Sequence, residues 1–271
     1  MKSLYLEEHD AFVRWQAVGA GEEVLLCLPG LNVPAAWEFL DFACAVDLER
    51  HSAVLLDYIG SGDSDPSPWF PGSLESHVGV LVAVLEHLGG TPCRVIGHSF
   101  GGTVGIALAL SRPDLVARLV VAEGNLTPGG GVASRKFAAM SLEEFEGGGL
   151  AGITDRLRAK AIAGDVRAAM LYGAWRLADP RALHANARAL ADLPLTFAHD
   201  FFALPMPRCF VFGESGYAAA QTAPQPDTPD PAWLRANGID VRVVPGTGHG
   251  MVRESPAGFV AALAAAGVLE R

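Results

Sequence analysis

Only four cysteines occur among the 271 residues, at positions 27, 44, 93 and 209, and no two stand as Cys-x-x-Cys. Each is isolated in apolar surroundings, the pattern of reduced, buried thiols rather than of a disulfide framework or a zinc site. Basic charge is also short. Twenty Lys and Arg face thirty Asp and Glu, a formal net charge of −10, with no cluster of cations. Nucleic acid and anionic membranes both require a basic footprint, so neither is expected as a partner. Long hydrophobic runs are missing as well: "FVAALAAAGVL" falls well short of the ~20 residues a membrane span needs. The opening "MKSLYLEEHDAF" has no apolar stretch behind its lysine, so no secretory leader is expected and a cytoplasmic location follows.

What is present is an alternation. Eight apolar stretches of strand length recur: "SLYLEE", "FVRWQAV", "EVLLCLP", "SAVLLDY", "CRVIGH", "ARLVVAE", "RCFVFGE" and "VRVVPG". From the third onward they are continuous rather than alternating, as befits strands covered on both faces. Helical patterns separate them. In "SLESHVGVLVAVLEHLGG", Leu74, Val78, Leu81, Leu85 and Leu88 mark one face and Ser73 is a candidate N-cap. The last helix opens on Ser255 as N-cap and Pro256 at its first position. The expected architecture is α/β: a mostly parallel eight-stranded sheet flanked by helices.

Between the sixth stretch, ending at Ala122, and the seventh, starting near Arg208, the alternation stops. Residues 141–192 read as consecutive helices, with a capping box from Ser141 to Glu144 and a later start at Asp179-Pro180. The expectation is a helical cap, 127–205, inserted into a core made of 1–126 and 206–271. "TPGGG" at 127–131 reads as the hinge into it, and the proline-rich "AAAQTAPQPDTPDPAW" as a mobile loop.

One strand exit carries chemistry. "VIGHSFGGTVG" runs from strand to helix through Ser99, with Gly97 two residues before it and Gly101 two after. A phosphate loop would need Gly-x-x-x-x-Gly-Lys-Ser/Thr and has no such lysine here. A dinucleotide fingerprint belongs on a first strand–helix turn, and this is the fifth strand; "IGSGDS" lacks the third glycine. A nucleophile elbow needs small residues at those two positions, because strand and helix approach closely around a strained turn that exposes the hydroxyl. The helix beginning at Phe100 then offers a backbone N–H and a positive dipole end.

With these residues the chain resembles the α/β-hydrolase family over nearly its whole length. "LCLPGLNVPAAW" is similar to that family's oxyanion loop, with Pro29-Gly30 where His-Gly is commoner; "LLDYIGSGDSDP" resembles its strand-four signature, and "VVPGTGHGMVRESP" its catalytic-histidine loop. The resemblance implies Ser99 as nucleophile, His249 as base, and backbone N–H groups of Leu31 and Phe100 as the oxyanion hole. His98 must leave the elbow in another direction and reads as a structural neighbour. The family's usual strand-seven aspartate is absent, since "VFGESGY" places Gly216 there. Strand six is the family's other location for the acid, and Glu123 stands at its exit. Glu214 is the alternative, with Asp227 and Asp230 further choices.

The resemblance implies a cofactor-independent serine hydrolase, most simply a carboxylesterase acting on a small apolar ester or acyl substrate under the cap. Trp37, Met140, Met170 and Trp175 are offered as pocket residues; His199-Asp200 reads as a solvated pair. A C–C bond hydrolase, lyase or acyltransferase could use the same residues. From a different class, a low-turnover ligand receptor would account for the missing strand-seven aspartate. A serine at position 99 excludes the aspartate-nucleophile chemistry of dehalogenases and epoxide hydrolases.

Overall fold

The computed structural model describes residues 1–269. The eight apolar stretches form one sheet of β1 (Lys2–Leu6), β2 (Ala11–Val18), β3 (Glu23–Leu28), β4 (His51–Asp57), β5 (Cys93–His98), β6 (Val116–Ala122), β7 (Arg208–Gly213) and β8 (Asp240–Val244), in the order β1-β2-β4-β3-β5-β6-β7-β8. Strand β2 is antiparallel to β1 and to β4, and all other pairings are parallel. This is an α/β-hydrolase sheet. After β3 the chain crosses to β4 on one side, then returns to β5 on the other, with Leu28 opposite Gly97. The direction of winding reverses between β3 and β5. Crevices open at the carboxyl ends of strands where this happens.

The continuous apolar pattern has a direct cause. Leu26 and Leu28 of β3 point to one face, toward Phe100, Val104 and Leu108 of α3 (Phe100–Ser111) and Val78, Leu81 and Leu85 of α2 (Leu74–His87). Leu25 and Cys27 point to the other, toward Phe39 and Phe42 of α1 (Ala35–Ala45) and Phe259 and Leu263 of α13 (Pro256–Ala265). Both faces are core, so alternation disappears. Leu88, expected on the buried face of α2, lies just past its end and is exposed.

Between β6 and β7 lie α4 (Val132–Ala138), α5 (Leu142–Glu144), α6 (Leu150–Ile162), α7 (Val166–Trp175), α8 (Pro180–Ala191) and α9 (Phe197–Ala203). Helices α10 (Glu214–Ala220) and α11 (Pro231–Ala236) follow β7, and α12 (Met251–Glu254) precedes α13. Ser73 accepts from the Ser76 amide, Ser141 and Glu144 form both halves of a capping box, and Asp179 caps α8 ahead of Pro180. Ser255 is different: Pro256 does open α13, but the Ser255 side chain caps nothing. That residue also terminates α12, and its ψ of 74° is far from the extended value of Ser73 or Ser141.

Cys27, Cys93 and Cys209 are free and buried, and burial pushes the Cys93 and Cys209 thiols up to about 12. Cys44, expected to be buried like them, is exposed on α1. Among the described residues no helix is long and apolar enough to cross a membrane.

Asp57 fixes the start of α1. Its carboxylate, at the end of β4, accepts from the amides of Ala35 (2.7 Å) and Asp63 (2.9 Å). Burial nevertheless raises it from 3.8 to about 6, outweighing those two amides. The folded protein thus holds this proton more tightly than the unfolded chain. The resulting stabilisation is complete below about pH 4 and is lost as pH rises through 6, a change of about 3 kcal/mol. Urea midpoints measured from pH 4 to 7 should carry this falling contribution. Asp57→Asn should remove it, at an overall cost of about 1–3 kcal/mol because an amide cannot accept from both N–H groups.

Candidate active site

Strand β5 ends at His98 and α3 begins at Phe100, leaving Ser99 alone at the junction with φ 53° and ψ −119°. A side chain in this region costs about 1–3 kcal/mol and needs surroundings that enforce it. They are present. The Ser99 amide donates to Ala122 O at 2.8 Å, and Ser99 O accepts from Gly102 N at 3.0 Å. A Cβ on Gly97 would sit 2.3 Å from Gly101 O, and one on Gly101 only 2.0 Å from Leu28 O. The two glycines therefore permit the turn by close approach, as their spacing around Ser99 predicts.

At the next strand exit Glu123 also has a positive φ, 44°, and is 1% exposed. Its amide donates to Val211 O, and its Oε1 accepts from Gly213 N at 3.0 Å. Oε2 lies 2.6 Å from Nδ1 of His249. Gly216 explains itself here: a Cβ at that position would fall 2.1 Å from Glu123 Oε1. The position that the family's common pattern gives to aspartate must stay empty because a carboxylate from β6 fills the space.

His249 sits between β8 and α12 in a loop tied on three sides. Thr247 Oγ1 donates to Val244 O, Ser215 N donates to Thr247 O, and Gly248 N donates to Glu254 Oε2 at 2.7 Å. Glu214 is exposed and accepts from Gly246 N at 2.9 Å, so it braces the same loop without approaching the imidazole. Asp230 caps α11, and Asp227 lies against Gly131. The structure thus joins His249 to Glu123 and gives the other carboxylates separate partners.

The β3–α1 loop closes the site from the other side of β5. A Cβ on Gly30 would lie 3.6 Å from Ser99 Cβ, so the loop backbone runs beside Ser99. Two residues from the inserted helices hold it. Trp175 Nε1 donates to Leu31 O at 2.8 Å. Asn32, with φ 49°, accepts at Oδ1 from Asn186 Nδ2 at 3.0 Å, and Asn186 Oδ1 lies 2.7 Å from His77 Nε2. Burial drives His77 down to about 4 despite that hydrogen bond, so the ring is neutral and donates from Nε2. Asn186→Leu would leave a buried acceptor and a buried donor unpaired, each worth about 1–3 kcal/mol. A matching drop in urea stability is the expected result; an unchanged midpoint would contradict it.

Of the other residues singled out in the sequence, Trp37 is 45% exposed and packs against Gly173 of α7. The Met140 sulfur packs toward Gly149, inside the helical insertion, and Met170 is half-buried against the core. His199 and Asp200 are both exposed on α9. Asn32, His77 and Asn186 escape a reading by motif, because their partners lie over a hundred positions away.

Comparison with known proteins follows the same outline. Over 106 residues, 39% of each chain, this protein is 38% identical to RutD of Caulobacter segnis, a protein named for carbamate hydrolysis. It is 46% identical to the lipase LipV of Mycobacterium tuberculosis over 66 residues, 24% of each chain. These matches thus span well under half the length of either relative. Among solved structures, a hydrolase from Pseudomonas aeruginosa superposes with a TM-score of 0.76 at 20% identity, over 98% of this chain and 97% of that one. The model of the alpha/beta hydrolase family matches residues 25–262. The chain belongs to the alpha/beta hydrolase family.

Proposed function

We propose that the protein is a serine esterase that cleaves carboxylic esters of small, uncharged, apolar acids through an acyl-enzyme on Ser99. The observation that carries this reading is the 2.6 Å contact between the buried Glu123 carboxylate and His249, built at a strand exit beside a serine held at φ 53°. In this reading Glu123 holds the Nδ1 proton of His249, leaving Nε2 free to accept the Ser99 proton as Oγ attacks the ester carbonyl. The amides of Leu31 and Phe100 stabilise the oxyanion; Phe100 opens α3, where N–H groups lack partners within the helix. His249 then protonates the leaving alcohol, and water repeats the cycle on the acyl group.

Residues 127–205 act as the cap over a core of 1–126 and 206–271. Two observations support that role. Trp175 and Asn186 reach from the insertion to the loop beside Ser99, and Trp37 meets α7 at Gly173. Trp175 is itself buried and braces the loop, whereas Trp37 stays exposed and supplies apolar surface, which suits an uncharged acyl group. Hydrolysis of p-nitrophenyl esters from acetyl to octanoyl tests the reading. Turnover with a chain-length optimum is expected, whereas no turnover by folded protein across the series would overturn the ester assignment.

A further inference from the structure

A second Glu–His pair lies directly beneath the first, and ester chemistry leaves it without a task. His98 precedes the nucleophile in sequence, and Glu38 is on the first turns of α1; both are at least nine-tenths buried. Nδ1 of His98 is 2.6 Å from Oε1 of Glu38. The remaining atoms of the pair grip backbone on opposite sides of the site. Glu38 Oε2 accepts from Gly30 N at 2.7 Å, one residue before Leu31. His98 Nε2 lies 2.7 Å from the carbonyl oxygen of His249 itself, and the two imidazole rings are 4.7 Å apart.

The chain of contacts therefore runs from the loop proposed to supply the oxyanion hole, through Glu38 and His98, to the main chain of the proposed base. We infer that Glu38 and His98 are positioning residues, which fix the Leu31 amide and the His249 backbone in register with each other across Ser99. The inference rests on the hydrolase reading of Ser99, His249 and Glu123.

Charge supports the geometry. Burial would raise the Glu38 carboxyl, but the His98 charge and the Gly30 amide outweigh it and hold it below the usual range. Burial would lower His98, and Glu38 overcomes this and raises it. Nδ1 faces a carboxylate oxygen and Nε2 a carbonyl oxygen, so a ring with both protons satisfies the two contacts at once, with Nε2 donating to His249 O. A buried ion pair is poor evidence of a contribution to stability, since a well-packed apolar replacement is often neutral or better. Geometry at the reacting atoms is another matter: displacement by about 1 Å can cost on the order of a hundredfold in rate.

The test exploits this separation. The double variant Glu38→Leu/His98→Leu removes the whole pair and leaves no uncompensated buried charge. It should stay folded with a somewhat lower urea midpoint, because Gly30 N and His249 O each lose a partner. Per folded molecule it should lose about 30- to 100-fold in kcat on a p-nitrophenyl ester, with KM within about threefold. His98→Leu alone should lose at least as much per folded molecule. His98→Gln, which keeps an N–H donor in reach of His249 O, should recover to within about fivefold of wild type. Wild-type kcat per folded molecule in the double variant would overturn the inference, as would a His98→Gln enzyme no better than His98→Leu. A parallel measurement separates this from failure of the underlying reading: covalent labelling of Ser99 by a fluorophosphonate. A wild type that neither hydrolyses esters nor labels at Ser99 overturns the hydrolase reading and the inference with it. A wild type that does both, matched by the double variant, overturns the inference alone.

Discussion

Ser99→Ala should lower kcat for any ester the protein accepts by on the order of a millionfold, about 8 kcal/mol. The effect is large because no other group can inherit the attack. Cys93 and Cys209 are buried with thiols at about 12, and His98 is committed to Glu38 and His249 O. Binding should survive, since the β3–α1 loop and the inserted helices are untouched. The residual rate, set by the remaining N–H donors, should still exceed that of water by about 10³–10⁴. Stability should change little, because alanine at φ 53° carries the same strain as serine. Stopped assays at high enzyme concentration, with binding followed separately, would measure both quantities.

Glu123→Gln should cost about ten-thousandfold in kcat, close to 5 kcal/mol, which is the loss seen when a triad acid becomes an amide. The reason can be read from the contacts. Gly213 N donates to Oε1, so a glutamine would set its carbonyl oxygen there and turn its NH₂ toward His249 Nδ1. The imidazole would then accept at Nδ1 and carry its proton on Nε2, the nitrogen that the proposed mechanism needs free to receive the Ser99 proton. Glu214→Gln is expected to change kcat by no more than a few-fold, since an amide oxygen can still accept from Gly246 N. Gly216→Ala offers a second route to the same lesion: its Cβ would displace a carboxylate 2.1 Å away, and a loss of about a hundredfold should follow. If Glu214→Gln were the crippling variant instead, the acid would have to come from β7.

The sequence made some of this legible and hid the rest for physical reasons. The strands were visible because β3 to β7 bury both faces, which forces continuous apolar runs. The turn at Ser99 was visible because close approach acts two residues away on each side and leaves glycines at fixed spacing. Helix starts at Ser73, Ser141 and Asp179 were visible because capping is local, whereas Ser255 failed because two helices share it. Gly216 looked like a missing acid and is better described as space made for Glu123, a relation across 93 positions that no local pattern records. Glu38 gave no signal at all. With Asp41 three residues on, Glu38 is one of two acids on a largely apolar helix, and its partners His98 and Gly30 meet it only once β3 and β5 lie side by side.

The covalent intermediate is the central claim, and it can be seen directly. Wild-type protein would be mixed with a p-nitrophenyl ester, quenched in acid during turnover and digested, and the peptides weighed. One acyl group is expected on the peptide that contains Ser99, absent when Ser99→Ala is treated in the same way. Ester turnover with no acylated Ser99 peptide, retained by Ser99→Ala, would contradict it.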